Sequence, residues 1–286
     1  MCESAQCASK NYKAGYCPEG TVIYKRIVCG KEYCPECGKI DSIIHKRRVS
    51  RWFQKLFSYK SVGYFVITVP AEIRNNFKDR EILSEWKKFT IRYFKNLGYE
   101  SGLFRFHWYG DCKYCKGDEN GCIECKFTGA GNKWNPHINI LTEGKWIEKE
   151  AFTATLNMIR YDFRVFYESL FGIDLTGKEN AFYEFRKTGK QKMHVLKYVT
   201  RSTFRIYNKE IAHLLKGFRA SQTWGKFGKC LHESENNELI MLESGLCPCC
   251  KQKIVWKDGL IVNIKLSKLF YDYIDGGYII GKNKNG

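Results

Sequence analysis

Fourteen cysteines in a chain of 286 residues fall into three groups, and their paired spacing constrains the fold more than any other feature. The first group is Cys2, Cys7, Cys17, Cys29, Cys34 and Cys37. The second is Cys112, Cys115, Cys122 and Cys125. The third is Cys230, Cys247, Cys249 and Cys250. A pair of cysteines two or three residues apart forms a knuckle that presents two sulfurs to one ion. Two knuckles complete a tetrahedral zinc shell. Such a chain is pinned by metal at several points, and its modules need less apolar core than their size would otherwise demand.

The middle group is the cleanest: two CxxC knuckles, with Gly117, Asp118 and Gly121 between them to permit the tight turn. In the first group Cys29, Cys34 and Cys37 stand in the pattern Cys-x4-Cys-Pro-x-Cys-Gly. Cys17 is the choice for the fourth ligand, with Cys7 and Cys2 as rivals. In the third group Cys230, His232, Cys247 and Cys250 would close a ribbon, and Cys249 could replace any of them. All three sites are expected to be closed, four-ligand structural zinc sites, so a catalytic ion has to be sought elsewhere.

The formal charge of +18 points to a polyanionic partner, nucleic acid before anionic membrane. Three four-cysteine zinc sites, each carrying −2, would bring it to about +12, which is still strongly basic. Affinity for DNA should therefore fall steeply with salt. The first twenty residues lack an apolar stretch of the signal-peptide kind, and no apolar run approaches a membrane span. The expectation is a cytoplasmic chain without a membrane partner, its cysteines metallated rather than oxidised.

Periodicity predicts an α+β fold in which helices pack on an antiparallel sheet, an arrangement of the split βαβ type. Residues 41–58 read as a basic amphipathic helix, with Arg47, Arg48 and Arg51 as candidate DNA contacts. Strands follow at 63–69 and 102–109, with a helix at 79–97 between them. The middle zinc knuckle then interrupts a hairpin whose second strand is 135–141. A helix at 148–171, a strand at 180–187 and a helix at 191–207 complete the series. The tail is expected to hold the third zinc site, a strand near 260–266 and a last short helix. Three parts result: an amino-terminal zinc module at 1–50, a core at 51–214 with the knuckle inserted at 111–126, and a carboxy-terminal ribbon and tail at 215–286.

Candidate chemistry lies on two elements. On strand 135–141, His137 and Asn139 share a face, because alternate residues point the same way. His107 sits among the polar-facing positions of the preceding strand. Three such groups on neighbouring strands can hold one divalent ion and leave room for a phosphate. On helix 191–207, Leu196, Val199, Thr203 and Ile206 form an apolar side. His194, Tyr198, Arg201 and Arg205 cluster opposite. A tyrosine hydroxyl, with a pKa near ~10, becomes a useful nucleophile when cations stabilise its phenolate and a metal withdraws charge from phosphate. Lys197, Arg201 and the metal could do both for Tyr198.

These blocks resemble the HUH endonucleases, a family named for two metal-binding histidines around a hydrophobic residue. The likeness runs through the Cys29–Cys34–Cys37 knuckle, the strand from Tyr64 to Pro70, His107-Trp108 with Pro136-His137-Ile138-Asn139, and Tyr198 to Arg201. It covers roughly residues 25–205. Two branches are close: rolling-circle replication initiators of plasmids or phages, and zinc-containing rolling-circle transposases. The resemblance implies a ferredoxin/RRM-like core and a nick at a replication origin through a 5′-phosphotyrosine intermediate. The freed 3′ hydroxyl would prime synthesis. It also implies Mg2+ or Mn2+ as the catalytic ion and single-stranded or cruciform origin DNA as substrate, with host helicase and polymerase as further partners. Carried over, Tyr198 is the nucleophile, and His107, His137 and Asn139 are the ligands. The pattern departs at Asn139, where the family has a second histidine. Transposases use two tyrosines four residues apart, and here those positions hold Ser202 and His194, which favours a single-tyrosine initiator. His194 is the candidate to activate water or a second 3′ hydroxyl in the closing step. The alternatives are a related transposase or a non-enzymatic zinc-containing nucleic-acid-binding protein.

Overall fold

The computed structural model describes residues 11–32, 34, 37–38, 41–110, 134–144, 149–178, 180–202, 209–229, 237–263, 271–274 and 276–281. Among them the chain forms, in order, β1 (Asn11–Tyr16), β2 (Val22–Arg26), α1 (Ile43–Phe57), β3 (Val62–Thr68), a 3₁₀ helix (Ala71–Phe77), α2 (Arg80–Asn96), β4 (Gly102–Tyr109), β5 (Trp134–Glu143), α3 (Lys149–Phe171), β6 (Ala181–Arg186), α4 (Gly189–Thr200), α5 (Lys209–Leu214), β7 (Ser221–Trp224), α6 (Asn237–Glu243), β8 (Val255–Asn263), β9 (Tyr271–Ile274) and β10 (Tyr278–Gly281). The fold is α+β, with two antiparallel sheets. No helix among the described residues is long and apolar enough to cross a membrane.

The chain divides into two compact units. One comprises Met1–Lys55, Thr200–Ser202 and Leu231–Gly286; the other comprises Leu56–Val199 and Thr203–Cys230. In the first, the sheet order is β8-β1-β2-β10-β9. Both ends of the chain thus build one sheet, rather than two separate zinc modules. β9 and β10 form a hairpin, and the short last helix predicted for the tail is absent from the described residues. Gly276 and Gly277 both take left-handed backbone angles (φ 82° and 76°), the conformation a tight hairpin turn demands. The core of this unit gathers Ile23, Leu239, Leu242, Ile254 and Tyr278 around Cys17 and Cys247. Glu243 lies beside it as an ionic hub. Lys25 Nζ is 3.2 Å from Oε1, Arg51 Nε is 3.2 Å from Oε2, and the Tyr278 hydroxyl donates to Oε1.

The second unit contains the sheet β6-β3-β5-β4-β7, antiparallel throughout. Alternation gives it two unlike faces. Phe65, Ile67, Phe104, Phe106, Ile138 and Ile140 point to one side, where α2 and α3 supply Trp86, Phe94, Phe163 and Tyr167. Edge contacts such as Phe65–Phe94 (4.9 Å between ring centroids) and Trp86–Phe106 (5.4 Å) fill this layer. α2 begins where Asp79 accepts hydrogen bonds from the backbone N–H groups of Glu81 and Ile82, an N-cap, and Gly98 closes its far end at φ 80°. At the outer strand pair, a Cβ on Gly102 would lie 2.2 Å from the Trp224 ring. Only glycine lets that tryptophan lie against β4 and donate to the Tyr99 carbonyl.

Candidate active site and metal centres

The other face of this second sheet is polar, and it is buried. Arg105 and His107 on β4, His137 and Asn139 on β5, and Tyr64 on β3 are each less than a tenth exposed. Register aligns them: His107 pairs directly with His137, and Arg105 with Asn139. Asn139 is also opposite Val66 of β3. Buried polar groups need partners, so a face of this kind is built for something other than packing.

α4 belongs with this face. It starts at a capping box: the Thr188 hydroxyl accepts from the Gln191 N–H, while Gln191 Oε1 accepts from the N–H groups of Lys187 and Thr188. Val195, Leu196 and Val199 form its buried side. Lys192 anchors it, donating to the Tyr59 carbonyl with its ammonium over the Phe57 ring. Tyr198 is half-buried. Its ring lies 5.6 Å from that of His107 and 6.4 Å from that of Tyr64. His107 and His137 are 5.1 Å apart between ring centroids. The structure therefore brings Tyr198, His107, His137 and Asn139 together.

The hydrogen bonds orient both imidazoles. His107 Nε2 lies 3.0 Å from the Val199 carbonyl, and His137 Nδ1 lies 2.9 Å from the Asn135 carbonyl. A carbonyl only accepts, so each of these nitrogens carries the proton. In the neutral rings the lone pairs are then on Nδ1 of His107 and Nε2 of His137. Metal-binding histidines are commonly held in this way, through the ring nitrogen that does not bind the ion. Asn139 Oδ1 accepts from the Tyr64 hydroxyl at 2.6 Å, and its Nδ2 has no hydrogen-bond acceptor among the described residues. The oxygen retains a second lone pair. Two imidazoles and an amide oxygen thus form a donor set that suits a divalent cation.

The remaining predicted residues are distributed differently. α4 ends at Thr200 instead of running to 207, so Arg201 does not extend the helical face that carries Tyr198. Arg201 is buried, and the adjacent Ser202 hydroxyl donates to the Glu32 carbonyl. The β-branched pair Val199-Thr200 is a weak continuation for a helix. Lys197 and His194 are exposed on α4, and His194 borders a cleft described below. Arg205 lies outside the described residues, as do Cys112, Cys115, Cys122, Cys125, Cys230 and His232.

Arg47 is corrected from DNA contact to structural residue. Its guanidinium is buried, donates to the carbonyls of Gly276 and Arg26, and lies 3.6 Å from Glu243. Arg48 stands 3.5 Å from Glu32, and Arg51 joins Glu243. The amphipathic pattern of α1 thus serves intramolecular ion pairs.

Two cysteine triads could each hold a metal ion, and their membership differs from the sequence reading. Cys29, Cys34 and Cys37 converge as expected, with the Gly38 N–H bonded to the Cys34 carbonyl to form the knuckle. Cys17 does not join them; it converges with Cys247 and Cys250. The reason is strand pairing. β1 ends at Tyr16, opposite Val255 at the start of β8, which brings Cys17 beside the knuckle that precedes β8. Lys251, at φ 60°, bends that knuckle, and its N–H bonds to the Cys247 carbonyl. In each triad the sulfurs lie within 4.8 Å of one another. Zinc–sulfur bonds of about 2.3 Å in a tetrahedron need sulfurs roughly 3.8 Å apart, a spacing within that limit, so both triads could hold zinc. Burial raises the Cys17 thiol, but hydrogen bonds from Thr21 and Cys250 outweigh it and lower the pKa to about 7. That favours thiolate, the form that binds metal. Cys249 is exposed and outside either triad.

Sequence reasoning missed Tyr64 as the partner of Asn139. It also missed a cleft of about 390 Å³ between β6 and α4 that Tyr198 helps to line. Both follow from strand register, which no local pattern encodes. No family model, no curated protein and no solved structure matches this chain.

Proposed function

We propose that the protein is a single-tyrosine endonuclease of the HUH type, which nicks origin DNA to initiate rolling-circle replication of a plasmid or phage. The observation that carries this reading is the meeting of Tyr198 with His107, His137 and Asn139 on one buried polar sheet face. The connectivity of β3 to β6, with β3 and β5 adjacent at the centre, follows the split βαβ pattern and supports the same reading.

In this reading the Tyr198 hydroxyl attacks a backbone phosphorus of single-stranded DNA. An Oη–P bond forms and the bond from phosphorus to the 3′ oxygen breaks. The tyrosine proton is released, and the departing 3′ oxygen takes up one proton. His107, His137 and Asn139 would hold a Mg2+ or Mn2+ ion, which supplies charge neutralisation at the phosphate when bound. The carbonyls of Val199 and Asn135 orient the two imidazoles, whose other ring nitrogens would bind the ion, and Tyr64 holds the amide of Asn139. Lys197, exposed on the same helix and adjacent to Tyr198 in sequence, would add positive charge for the phenolate. His194 would activate the second nucleophile in the closing step. The zinc triads have a structural task, holding the unit that both chain ends build.

The test is covalent capture. Incubation with single-stranded origin DNA and Mn2+ should give a protein–DNA adduct that survives denaturing electrophoresis, and Tyr198→Phe should abolish it. An adduct formed equally well by Tyr198→Phe would remove Tyr198 from the role. The absence of any adduct from wild type would leave a non-enzymatic nucleic-acid-binding protein as the better account.

A further inference from the structure

We propose that the cleft between β6 and α4 holds one unstacked nucleobase of the DNA strand beside Tyr198. The choice of DNA as the polymer rests on the nicking reading above. Among the described residues β6 is an edge strand of its sheet, and its alternate residues Phe182, Glu184 and Arg186 are registered with Val66, Tyr64 and Val62 of β3. They therefore share the face that carries His137 and Asn139. With Tyr64, His194 and Tyr198 they line the open cleft. Its volume of about 390 Å³ falls in the range of small-molecule sites, roughly 300–1,000 Å³.

The lining matches a base by chemistry. Phe182, Tyr64 and Tyr198 offer aromatic surface for stacking. Phe182 is 44% exposed, although it is a large apolar side chain on a sheet edge. At one end Glu184 is paired with Arg186, which gives a carboxylate and a guanidinium suited to the hydrogen-bonding edge of a base. The surrounding charge matches a phosphate backbone. The Arg160 guanidinium lies 6.0 Å from the Phe182 ring, and Lys187, between β6 and α4, and Lys190, in the first turn of α4, are exposed. A base in a duplex is stacked and cannot enter such a cleft. An unpaired base can, and stacking on aromatic side chains is how single strands are commonly held. Seating the base here would place its adjoining phosphate near the tyrosine that lines the same cleft.

The experiment is fluorescence anisotropy with a labelled mixed-sequence single strand and with the duplex of the same sequence, using the full chain. Phe182→Ala should weaken single-strand binding about tenfold, the size of one lost base–aromatic stack. Phe182→Trp should restore it, and duplex binding should stay close to that of wild type, because a base stacked in a duplex cannot reach the aromatic surface. Unchanged single-strand affinity in Phe182→Ala would overturn the proposal. So would an equal loss for single strand and duplex, or failure of wild type to bind single strand at all. Covalent capture with Mn2+ on single-stranded origin DNA separates the two ideas. If no adduct forms while Phe182 dependence persists, the nicking reading falls and the base site stands.

Discussion

Asn139 is the residue on which the candidate site turns. An amide is a weaker ligand than a second imidazole, and its oxygen can bind a hard cation only if it points at the ion. Here the Tyr64 hydroxyl fixes that orientation from the neighbouring strand. In the proposed site the tyrosine would act on the ion through Asn139. Tyr64→Phe should keep the fold, because the ring remains, yet raise the Mn2+ concentration needed for adduct formation by about tenfold or more, the usual cost of losing a partner that orients a metal ligand. A Mn2+ titration of adduct yield measures this. An unchanged midpoint would show that Asn139 needs no such support. Arg47 illustrates the opposite outcome at the same scale. A cation on a basic helix reads as a DNA contact, but its guanidinium is buried and donates to the backbone carbonyls of Gly276 and Arg26 within its own unit.

At the scale of elements, the decisive event is the pairing of β1 with β8. It carries Cys17 away from Cys29, Cys34 and Cys37 and sets it beside Cys247 and Cys250. Zinc there would join a turn near the start of the chain to a knuckle near its end. Such a bond closes a very long loop and stabilises the sheet by metal affinity as well as by strand pairing. Cys17→Ser should reduce bound zinc by one equivalent, measured by elemental analysis of the purified protein. It should also lower the unfolding midpoint of the unit that contains Cys247 and Cys250. Full zinc retention would mean that Cys17 is not a ligand. The element boundaries themselves follow local chemistry closely. The capping box at Thr188 and Gln191 starts α4, Asp79 starts α2, and Gly276-Gly277 turns the last hairpin.

At the scale of the whole molecule, the distribution of aromatic residues gives a pH dependence. Tyr59, Tyr99 and Tyr183 of the second unit are each pushed up to about 12, in every case chiefly by burial. In the unfolded chain a tyrosine ionises near ~10. Their folded pKa values are therefore raised, and the sign is fixed. Below pH ~10 the phenols are neutral in both states and stability is unaffected; as pH rises toward 12 the unfolded state gains by losing protons that the folded state retains. Stability should fall progressively across that window. Absorbance at 295 nm should show these three phenols titrating late and then together with unfolding. Release of all eighteen tyrosine protons near pH 10 with the fold intact would contradict this. The division into two units bears on function in a simple way. The candidate nucleophile and ligands are all in one unit, and the cysteine triads are in the other.

Much of this protein is legible in its residues alone. Knuckle spacing marks the cysteines that gather around Cys34 and Cys247, an aromatic and β-branched run marks β3, alternation marks β4 and β5 and separates their faces, and the series from β3 to α4 follows from periodicity. These are local properties, set by the backbone geometry of a few consecutive residues. The tertiary structure alone decided the rest: which triad Cys17 joins, that both chain ends share one sheet, that His107 is registered on His137, that Tyr64 holds Asn139, and that β6 and α4 enclose a cleft beside Tyr198. Each depends on pairing between segments far apart in the chain. Register and edge order arise from burying one face of every strand at once, and no short stretch of sequence contains that condition.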